Sequence, residues 1–388
     1  MPRVRRPIEP GLRLRELRVL RLGEVRVSPT SGAADQLSLE VGAVPGRSRE
    51  LTVLDQRDRG TRFLSLEARS VLNSPASTGM GFWSLNPYVG CEFGCTYCYA
   101  RDTHRYAVER AERRDGGTAG GGEDLPPWLA FEKRILVKTG IAERLARTLD
   151  PSKLGHDSLV IGTATDPYQP AERRYRLTRS ILQVLTGFRG LRIGIISKSP
   201  LVTRDIDLLQ QLSARSEVTV NVSLSTLDRR VARRLELRSP VPSARIRGLA
   251  RLSAAGIHAG LLIAPIVPGV TDDREGLDLL MAAAKEAGAR YVIGSALRLG
   301  PAARHRFLPH LAREFPELAE RYQRHYGERE GVSREYQAAL TRRLDELQRK
   351  HGFPLDEERY RRAQLEGRRR TVVVEQRALF RESVNGER

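Results

Sequence analysis

The chain of 388 residues is poor in cysteine and in long hydrophobic runs. It contains three cysteines, an odd number that does not suit the disulfide framework of a secreted domain. No uncharged apolar run approaches the roughly 18 residues that a membrane-spanning helix needs, so no membrane association is expected. The basic N-terminus, MPRVRRPIEPGLRLREL, lacks the apolar core of a secretory signal, which predicts a cytoplasmic protein.

Lysine is also scarce, although the chain is strongly basic. The net charge is +19, from 66 basic and 47 acidic residues, and only six of the basic residues are lysines. The arginines are spread along the chain rather than gathered into the single stripe that is typical of a nucleic-acid-binding protein. Electrostatic attraction therefore permits a nucleic-acid partner without selecting one.

All three cysteines lie within eight residues, as Cys91, Cys95 and Cys98 in the stretch GCEFGCTYCYAR. The spacing C-x3-C-x2-C allows a short loop to direct three thiolates at one centre, which indicates a metal site. Structural zinc takes four protein ligands, and His104 is a candidate for the fourth. An iron–sulfur cube normally takes four cysteines, so three would leave one iron without a protein ligand. Inert buried thiols and a redox dithiol are the remaining alternatives.

The motif C-x3-C-x-aromatic-C, with Tyr97 at the aromatic position, resembles the signature of the radical S-adenosylmethionine (SAM) superfamily. Further stretches are similar to the subgroup related to spore photoproduct lyase, often labelled DNA repair photolyase-like. They are LNPYVGCEFGCTYCYARDTH, GTATDPYQPAERR, ISKSPLVTRDIDLL and IAPIVPGVTD. The resemblance covers approximately residues 65–300.

The resemblance implies that Cys91, Cys95 and Cys98 hold a 4Fe–4S cluster whose open iron chelates SAM. It further implies that an external electron donor, such as a flavodoxin or ferredoxin, reduces the cluster. Cleavage of SAM then yields a 5′-deoxyadenosyl radical that abstracts hydrogen from a substrate, while the protein orients the reactants and excludes water. The expected activity is that of a radical SAM enzyme, a lyase or another radical-initiated reaction. A zinc-stabilised, non-enzymatic nucleic-acid-binding protein is the competing hypothesis.

The sequence leaves three candidate classes of substrate: a small molecule, a peptide and a nucleic acid. Lesion repair as in the lyase is kept only as an alternative. That enzyme uses an additional cysteine to return a hydrogen atom, and this chain has no fourth cysteine, which argues against the same repair reaction. The tyrosines that could replace it are Tyr88, Tyr99, Tyr168 and Tyr175. Candidate substrate contacts, for which a solvated surface is the equal alternative, are Arg101, His104, Arg173 and Arg174.

Short apolar runs alternate with helix-period segments after the cysteine motif. The predicted strands are residues 82–89, 158–164, 191–197, 217–224, 257–264 and 291–297, and helical patterns between them include 175–188, 201–213, 243–255 and 273–287. Six such units predict a parallel α/β sheet with right-handed crossovers. Six are too few for a closed eight-stranded barrel. We therefore expect a partial (β/α)6 TIM-like barrel, which the resemblance also implies.

The barrel is predicted to lie between two extensions. Residues 1–64 form an N-terminal extension that could be a small β unit, residues 65–300 the radical SAM core, and residues 301–388 a helical extension. The last contains an apolar stripe at helical spacing, expected to pack against the barrel, formed by Phe307, Leu311, Phe315, Leu318 and Tyr322. The Gly-rich residues 115–127 predict a mobile loop near the cluster, either an insertion or a lid.

Polar residues follow several predicted strands, at the edge where parallel sheets place their chemistry. The candidate cofactor-binding residues are Tyr97, Thr165, Asp166, Lys198, Ser223 and Ser225. By the resemblance, Asp166 takes the place that recognises the methionyl ammonium, where a Gly-Gly-Glu stretch is common. Lys198 offers a cation for the methionyl carboxylate, unless it is a solvated strand end. Ser223 and Ser225 are suited to ribose or carboxylate, and Tyr97 to adenine through its backbone.

Overall fold

The computed structural model describes residues 38–39, 51–57, 60–68, 70–103 and 125–355. His104, most of the Gly-rich stretch 115–127, and residues 1–37 and 356–388 lie outside the described residues. The described strands are β1 (Ser38–Leu39), β2 (Leu51–Gln56), β3 (Arg62–Glu67), β4 (Leu72–Asn73), β5 (Trp83–Leu85), β6 (Tyr88–Val89), β7 (Arg134–Thr139), β8 (Leu159–Ile161), β9 (Arg192–Ser197), β10 (Glu217–Ser223), β11 (His258–Ile266) and β12 (Val292–Ala296).

Helices connect and cover these strands. The α-helices are Pro75–Thr78, Pro127–Lys133, Ile141–Thr148, Pro151–Leu154, Glu172–Tyr175, Leu177–Leu185, Ile206–Ser213, Arg229–Leu235, Pro242–Ala254, Arg274–Glu286, Pro301–Glu314, Ala319–Tyr326 and Arg334–Lys350, with 3-10 helices at Pro200–Asp205 and Pro316–Leu318. None of the helices in the described ranges is long and apolar enough to cross a membrane.

The larger sheet contains six parallel strands that lie side by side in chain order: β5, β8, β9, β10, β11 and β12. The short β4 pairs antiparallel with β5 and forms one edge. Adjacent parallel strands require crossover connections, and the intervening helices supply them. The fold is therefore the expected partial TIM-like barrel of six βα units. Its parallel strands bring their carboxyl ends to one edge of the sheet.

A second sheet has the order β1-β2-β3-β7-β6. β3 pairs parallel with β7, with Arg62 opposite Arg134, and β6 pairs antiparallel with β7, with Tyr88 opposite Val137. The boundary predicted after residue 64 falls inside β3, which pairs with a strand from the middle of the chain. The division into three segments stays a prediction.

The single strand expected over residues 82–89 is wrong, because it consists of β5 and β6 in two different sheets. Pro87 has no N–H group and cannot donate to a ladder, so pairing is interrupted there. The Asn86 side chain instead accepts a hydrogen bond from the Ala164 backbone N–H at 2.9 Å. This break takes the chain from the barrel sheet to the second sheet immediately before the cysteines.

Two predicted helices also differ in detail. The helix expected over 175–188 is divided at Arg176, whose φ of 52° is left-handed and ends the short helix before Leu177. The helix expected over 201–213 begins with a 3-10 segment, Pro200–Asp205. The helices ending before Gly256 and Gly288 stop as predicted, since both glycines have φ of 78°.

Buried apolar side chains form a large core around the barrel sheet, a second core that includes the cysteine motif, and a small third core at the second sheet. The second core brings Cys91, Cys95 and Tyr97 into one cluster with Phe307 and Leu311 of the helix Pro301–Glu314. The apolar stripe of the C-terminal helices thus packs where the cysteine segment lies. Packing of this extension therefore helps to hold the cysteine segment against the barrel.

Truncation of Phe307 tests this second core. The side chain is 0% exposed, so Phe307→Ala should lower the free energy of unfolding by about 3–5 kcal/mol through lost apolar contact and a residual cavity. Urea denaturation measures this change. Leu279→Ala is the control, because Leu279 is 56% exposed, and should stay within about 0.5 kcal/mol of wild type. Equal losses in the two variants would contradict the assigned packing.

Candidate functional site

The three cysteines lie in a loop of residues 90–98, the cysteine loop, which starts directly after β6. Cys91 and Cys95 are buried, Cys98 is partly buried, and all three are free thiols. Burial raises the pKa of each thiol, and for Cys95 burial and the nearby Glu236 raise the pKa to about 12. Buried thiolates need compensating positive charge, which a bound metal provides. The donor set therefore suits a metal centre.

One side of the cysteine loop is hydrogen-bonded to the segment 235–239. The backbone N–H and the hydroxyl of Thr96 both donate to the Leu235 carbonyl, at 3.0 and 2.9 Å. Cys95 forms an isolated antiparallel bridge with Glu236. The Cys95 Sγ atom lies 3.5 Å from the Ser239 Oγ atom. The cysteine loop is thereby fixed to the segment that follows the helix Arg229–Leu235.

The start of the cysteine loop is hydrogen-bonded to the segment after β8. The Thr165 hydroxyl donates to the Gly90 carbonyl at 2.6 Å, and Gln169 Nε2 donates to Thr165 Oγ1 at 2.9 Å. The Glu92 N–H donates to Gln169 Oε1 at 2.9 Å, and the Ala171 N–H to Glu92 Oε2 at 2.7 Å. Thr165, a predicted cofactor residue, therefore anchors the cysteine loop through its side chain.

Asp166 joins the ends of β8 and β9. One carboxylate oxygen accepts from the Ser197 hydroxyl at 2.7 Å and from the Tyr168 N–H at 2.9 Å, and the other accepts from the Lys198 N–H at 2.7 Å. Burial raises the pKa of Asp166, although these hydrogen bonds oppose the shift. Asp166 thus lies at the predicted edge of the sheet and fixes the backbone of Lys198.

Lys198 points into a polar cluster, so its interpretation as a solvated strand end is wrong. Its side chain is 14% exposed, and its Nζ atom lies 2.8 Å from Ser223 Oγ and 3.1 Å from Glu236 Oε1. The same atom is 5.7 Å from the centroid of the Tyr97 ring. Lys198 directly after β9, Ser223 at the end of β10 and Tyr97 in the cysteine loop are thus brought together.

Glu236 is the centre of this cluster and was missed by sequence reasoning. It is buried, accepts from the Tyr97 hydroxyl, and forms an ion pair with the buried Arg245. Burial opposes ionisation, but Arg245 and Lys198 outweigh it and lower the pKa of Glu236 to about 2. Nothing in the stretch RRLELRSP distinguishes this glutamate from a surface residue, since its partners Tyr97 and Lys198 come from distant parts of the chain.

Ser225 differs from the other predicted cofactor residues. It is 4% exposed, and its Oγ atom has no hydrogen-bond partner among the described residues. A buried hydroxyl without a partner is uncommon in folded proteins, since desolvation is then uncompensated. Its position two residues beyond β10 suits a hydroxyl that meets a bound ligand.

The predicted substrate residues have different surroundings. Arg101 is fully buried, so the solvated-surface interpretation is wrong for this residue. Arg173 and Arg174 are exposed, and Arg174 pairs with Asp55. Among the four candidate tyrosines, Tyr99 is 50% exposed and its hydroxyl donates to the Thr163 carbonyl.

Zinc stays the competing prediction, because His104, its candidate fourth ligand, lies outside the described residues. Zinc takes four ligands, each about 2.0–2.3 Å from one ion. Within the ranges that the structure describes, no group of three or more His, Cys, Asp or Glu side chains is arranged to hold a single metal ion. In a cube, each thiolate binds a different iron, so its three sulfur atoms need not converge on one point.

Comparison with known proteins agrees with this donor set. The family model described as the Radical SAM superfamily matches residues 85–280. An uncharacterized protein of Mycobacterium tuberculosis (strain ATCC 25618 / H37Rv) is 32% identical over 320 residues, which cover 81% of this chain and 89% of that protein. An uncharacterized protein of Acidianus two-tailed virus is 31% identical over 220 residues, or 55% of this chain and 67% of that protein.

Solved structures share the fold at low identity. A variant of spore photoproduct lyase with bound AdoMet and dinucleoside spore photoproduct is 14% identical, with a TM-score of 0.50. Another variant of that enzyme is 12% identical, with a TM-score of 0.51. Each match covers 74% of this chain and 78% of the other chain. At this identity the likeness concerns the fold, and it agrees with the partial barrel.

Neutralisation of Glu236 tests the buried charge cluster. Glu236→Gln leaves Arg245 and Lys198 without their shared carboxylate, and should lower the free energy of unfolding by about 3–5 kcal/mol in urea denaturation. The control is Glu346→Gln, whose exposed pair with Arg274 should contribute less than about 1 kcal/mol. A loss in Glu236→Gln no larger than in the control would refute the cluster.

Proposed function

The chain belongs to the radical SAM superfamily, and we propose that Cys91, Cys95 and Cys98 hold a 4Fe–4S cluster beside a SAM site at the strand ends. The observation that carries this proposal is the convergence of the cysteine loop with Lys198 and Ser223 at the carboxyl edge of the parallel sheet. When bound, the cluster and SAM supply reductive cleavage of SAM and hydrogen abstraction from a substrate carbon.

Lys198 binds the methionyl carboxylate in this proposal. Its ammonium group is held by Ser223 and Glu236, at 2.8 and 3.1 Å, and is therefore placed before SAM binds. A cation fixed in advance loses little conformational entropy on binding its anion. Glu236 also balances the charge of Lys198 when the site holds no ligand. Lys198 and Ser223 together thus provide a polar site for the amino-acid end of SAM.

The remaining candidate residues have separate roles. Ser225 provides its unpartnered hydroxyl to the ribose or the carboxylate of SAM. Tyr97 presents its backbone to the adenine, because its side chain is buried and bonded to Glu236. Asp166 has three hydrogen bonds from the protein, so we assign it to shaping the site for the ammonium group. Thr165 holds the cysteine loop.

Reaction with an unidentified substrate also requires an electron from outside the chain. We propose a flavodoxin or ferredoxin as the donor, and a cytoplasmic location stays a prediction from the sequence. Nucleic-acid lesion repair or modification stays the alternative reaction.

Anaerobic reconstitution with iron and sulfide tests the cluster. Wild type should be brown and contain about four iron atoms per chain. With dithionite and SAM it should release 5′-deoxyadenosine, whereas Cys95→Ala should lose that release because one iron has lost its thiolate. A colourless wild-type protein that binds zinc, or undiminished release in Cys95→Ala, would contradict the ligand assignment.

Removal of the unpartnered hydroxyl tests the SAM site. Ser225→Ala breaks no hydrogen bond within the described protein, so the melting temperature should not fall. Its affinity for SAM, measured by equilibrium dialysis of the reconstituted protein, should weaken about 3- to 10-fold through the loss of one hydrogen bond.

The matched control is Ser253→Ala. The Oγ atom of Ser253 is also buried without a partner, but it lies in the helix Pro242–Ala254. The affinity of the Ser253→Ala variant for SAM should equal that of wild type. If Ser225→Ala also binds SAM as tightly as wild type, Ser225 does not contact the cofactor.

A further inference from the structure

Glu132 is a buried carboxylate behind the cysteine loop that none of the roles above uses. It is 3% exposed and lies near the end of the helix Pro127–Lys133. Its Oε1 atom accepts from Arg101 at 2.6 Å and from Arg306 at 3.1 Å, and its Oε2 atom accepts from Arg238 at 2.6 Å. These three arginines come from three distant parts of the chain.

Two of the arginines that bind Glu132 also donate hydrogen bonds to the backbone of the cysteine loop. The Nη2 atom of Arg101 donates to the Cys95 carbonyl at 2.6 Å, and the Nε atom of Arg238 donates to the Glu92 carbonyl at 2.6 Å. The Arg238 N–H also donates to the Phe93 carbonyl at 3.0 Å. A planar guanidinium with several donors can join a carboxylate and a carbonyl at once.

The backbone beside Glu132 makes a further contact with the cysteine loop. The Phe131 carbonyl accepts from the Cys91 N–H at 2.9 Å. The loop is therefore held at Cys91, Glu92, Phe93 and Cys95. These four residues are connected to Glu132 through Arg101, through Arg238 and through the neighbouring Phe131 carbonyl.

Gly94 shows how closely this arrangement fits the loop. Its φ is +63°, in the left-handed region that favours glycine. A Cβ atom at this position would lie 2.8 Å from Glu132 Oε2 and would overlap the Arg238 guanidinium. The absence of a side chain at Gly94 is what allows Glu132 and Arg238 to approach the loop between Cys91 and Cys95.

We propose that Glu132 is a positioning residue for the cysteine loop, which acts through Arg101 and Arg238 to hold the cysteine thiols in the arrangement that the metal centre needs. Arg306 supplies a third positive charge to Glu132. The proposal rests on the proposed function in so far as the loop binds a cluster. The geometry of the loop itself does not depend on that assignment.

Glu132→Gln in the full-length chain tests the proposal with two measurements. The first is the rate at which the reconstituted protein loses iron to a chelator under anaerobic conditions. The second is the rate at which iodoacetamide labels the cysteines before reconstitution, followed by mass spectrometry. Neither measurement depends on enzymatic turnover. Because the amide carries no charge and accepts fewer hydrogen bonds, both rates should rise. Loss of groups that orient metal ligands weakens metal affinity about 10- to 100-fold, so iron loss should accelerate by a similar factor.

Asp205→Asn is the matched control. Asp205 is a buried carboxylate that also pairs with two arginines, Arg179 at 2.7 Å and Arg204 at 2.8 Å, but it contacts no residue of the cysteine loop. This variant should lose stability in a similar way. Its rates of iron loss and thiol labelling should nevertheless stay close to those of wild type.

The outcomes separate this proposal from the proposed function. Rates in Glu132→Gln that match those in Asp205→Asn would overturn the positioning role. If Glu132→Gln does not fold, Arg238→Gln decides, because Arg238 is 36% exposed and its loss should raise both rates in the same direction. If wild type takes up no iron, the cluster assignment fails, and thiol labelling alone still decides the role of Glu132.

Discussion

Compensation of buried charge around the cysteine loop is the constraint on which the site depends. Glu132 is paired with three arginines, and Glu236 is paired with Arg245 and Lys198. Burying a carboxylate without partners is unfavourable, so each of these two glutamates is stable in its buried position only when its cationic partners are in place. The cysteine loop is consequently fixed by partners from several parts of the chain, and this fixes the positions of the three thiols.

The strand ends position the proposed cofactor residues. The parallel strands bring Lys198 after β9 and Ser223 at the end of β10 to one edge of the sheet, and the hydrogen bonds of Asp166 fix the backbone between β8 and β9. Phe307 of the C-terminal helices packs in one apolar cluster with the cysteines. The proposed cofactor residues are thus held by rigid strand ends, while hydrogen bonds and buried ion pairs hold the cysteine loop.

Much of the barrel could be predicted from the sequence, because each of its parallel strands is a short apolar run separated by helical periodicity. The division of residues 82–89 between two sheets could not, since periodicity does not reveal a change of sheet at Pro87. The clustered cysteines also stand out by spacing alone. Glu132 and Glu236 do not, because most of their partners are far away in the sequence, 174 positions for Glu132 and Arg306 and 139 positions for Glu236 and Tyr97. For the same reason, neither interpretation of Arg101 from the sequence, a substrate contact or a solvated surface residue, indicates its place between Glu132 and the Cys95 carbonyl.

The central claim is that three thiols hold an iron–sulfur cube whose remaining iron is open to SAM. The most direct measurement is the Mössbauer spectrum of the anaerobically reconstituted protein, recorded with and without SAM. The account predicts that SAM changes the isomer shift of one iron of the cube and leaves the other three unaltered. A spectrum that SAM does not change, or iron present only as single tetrahedral ions, would contradict it.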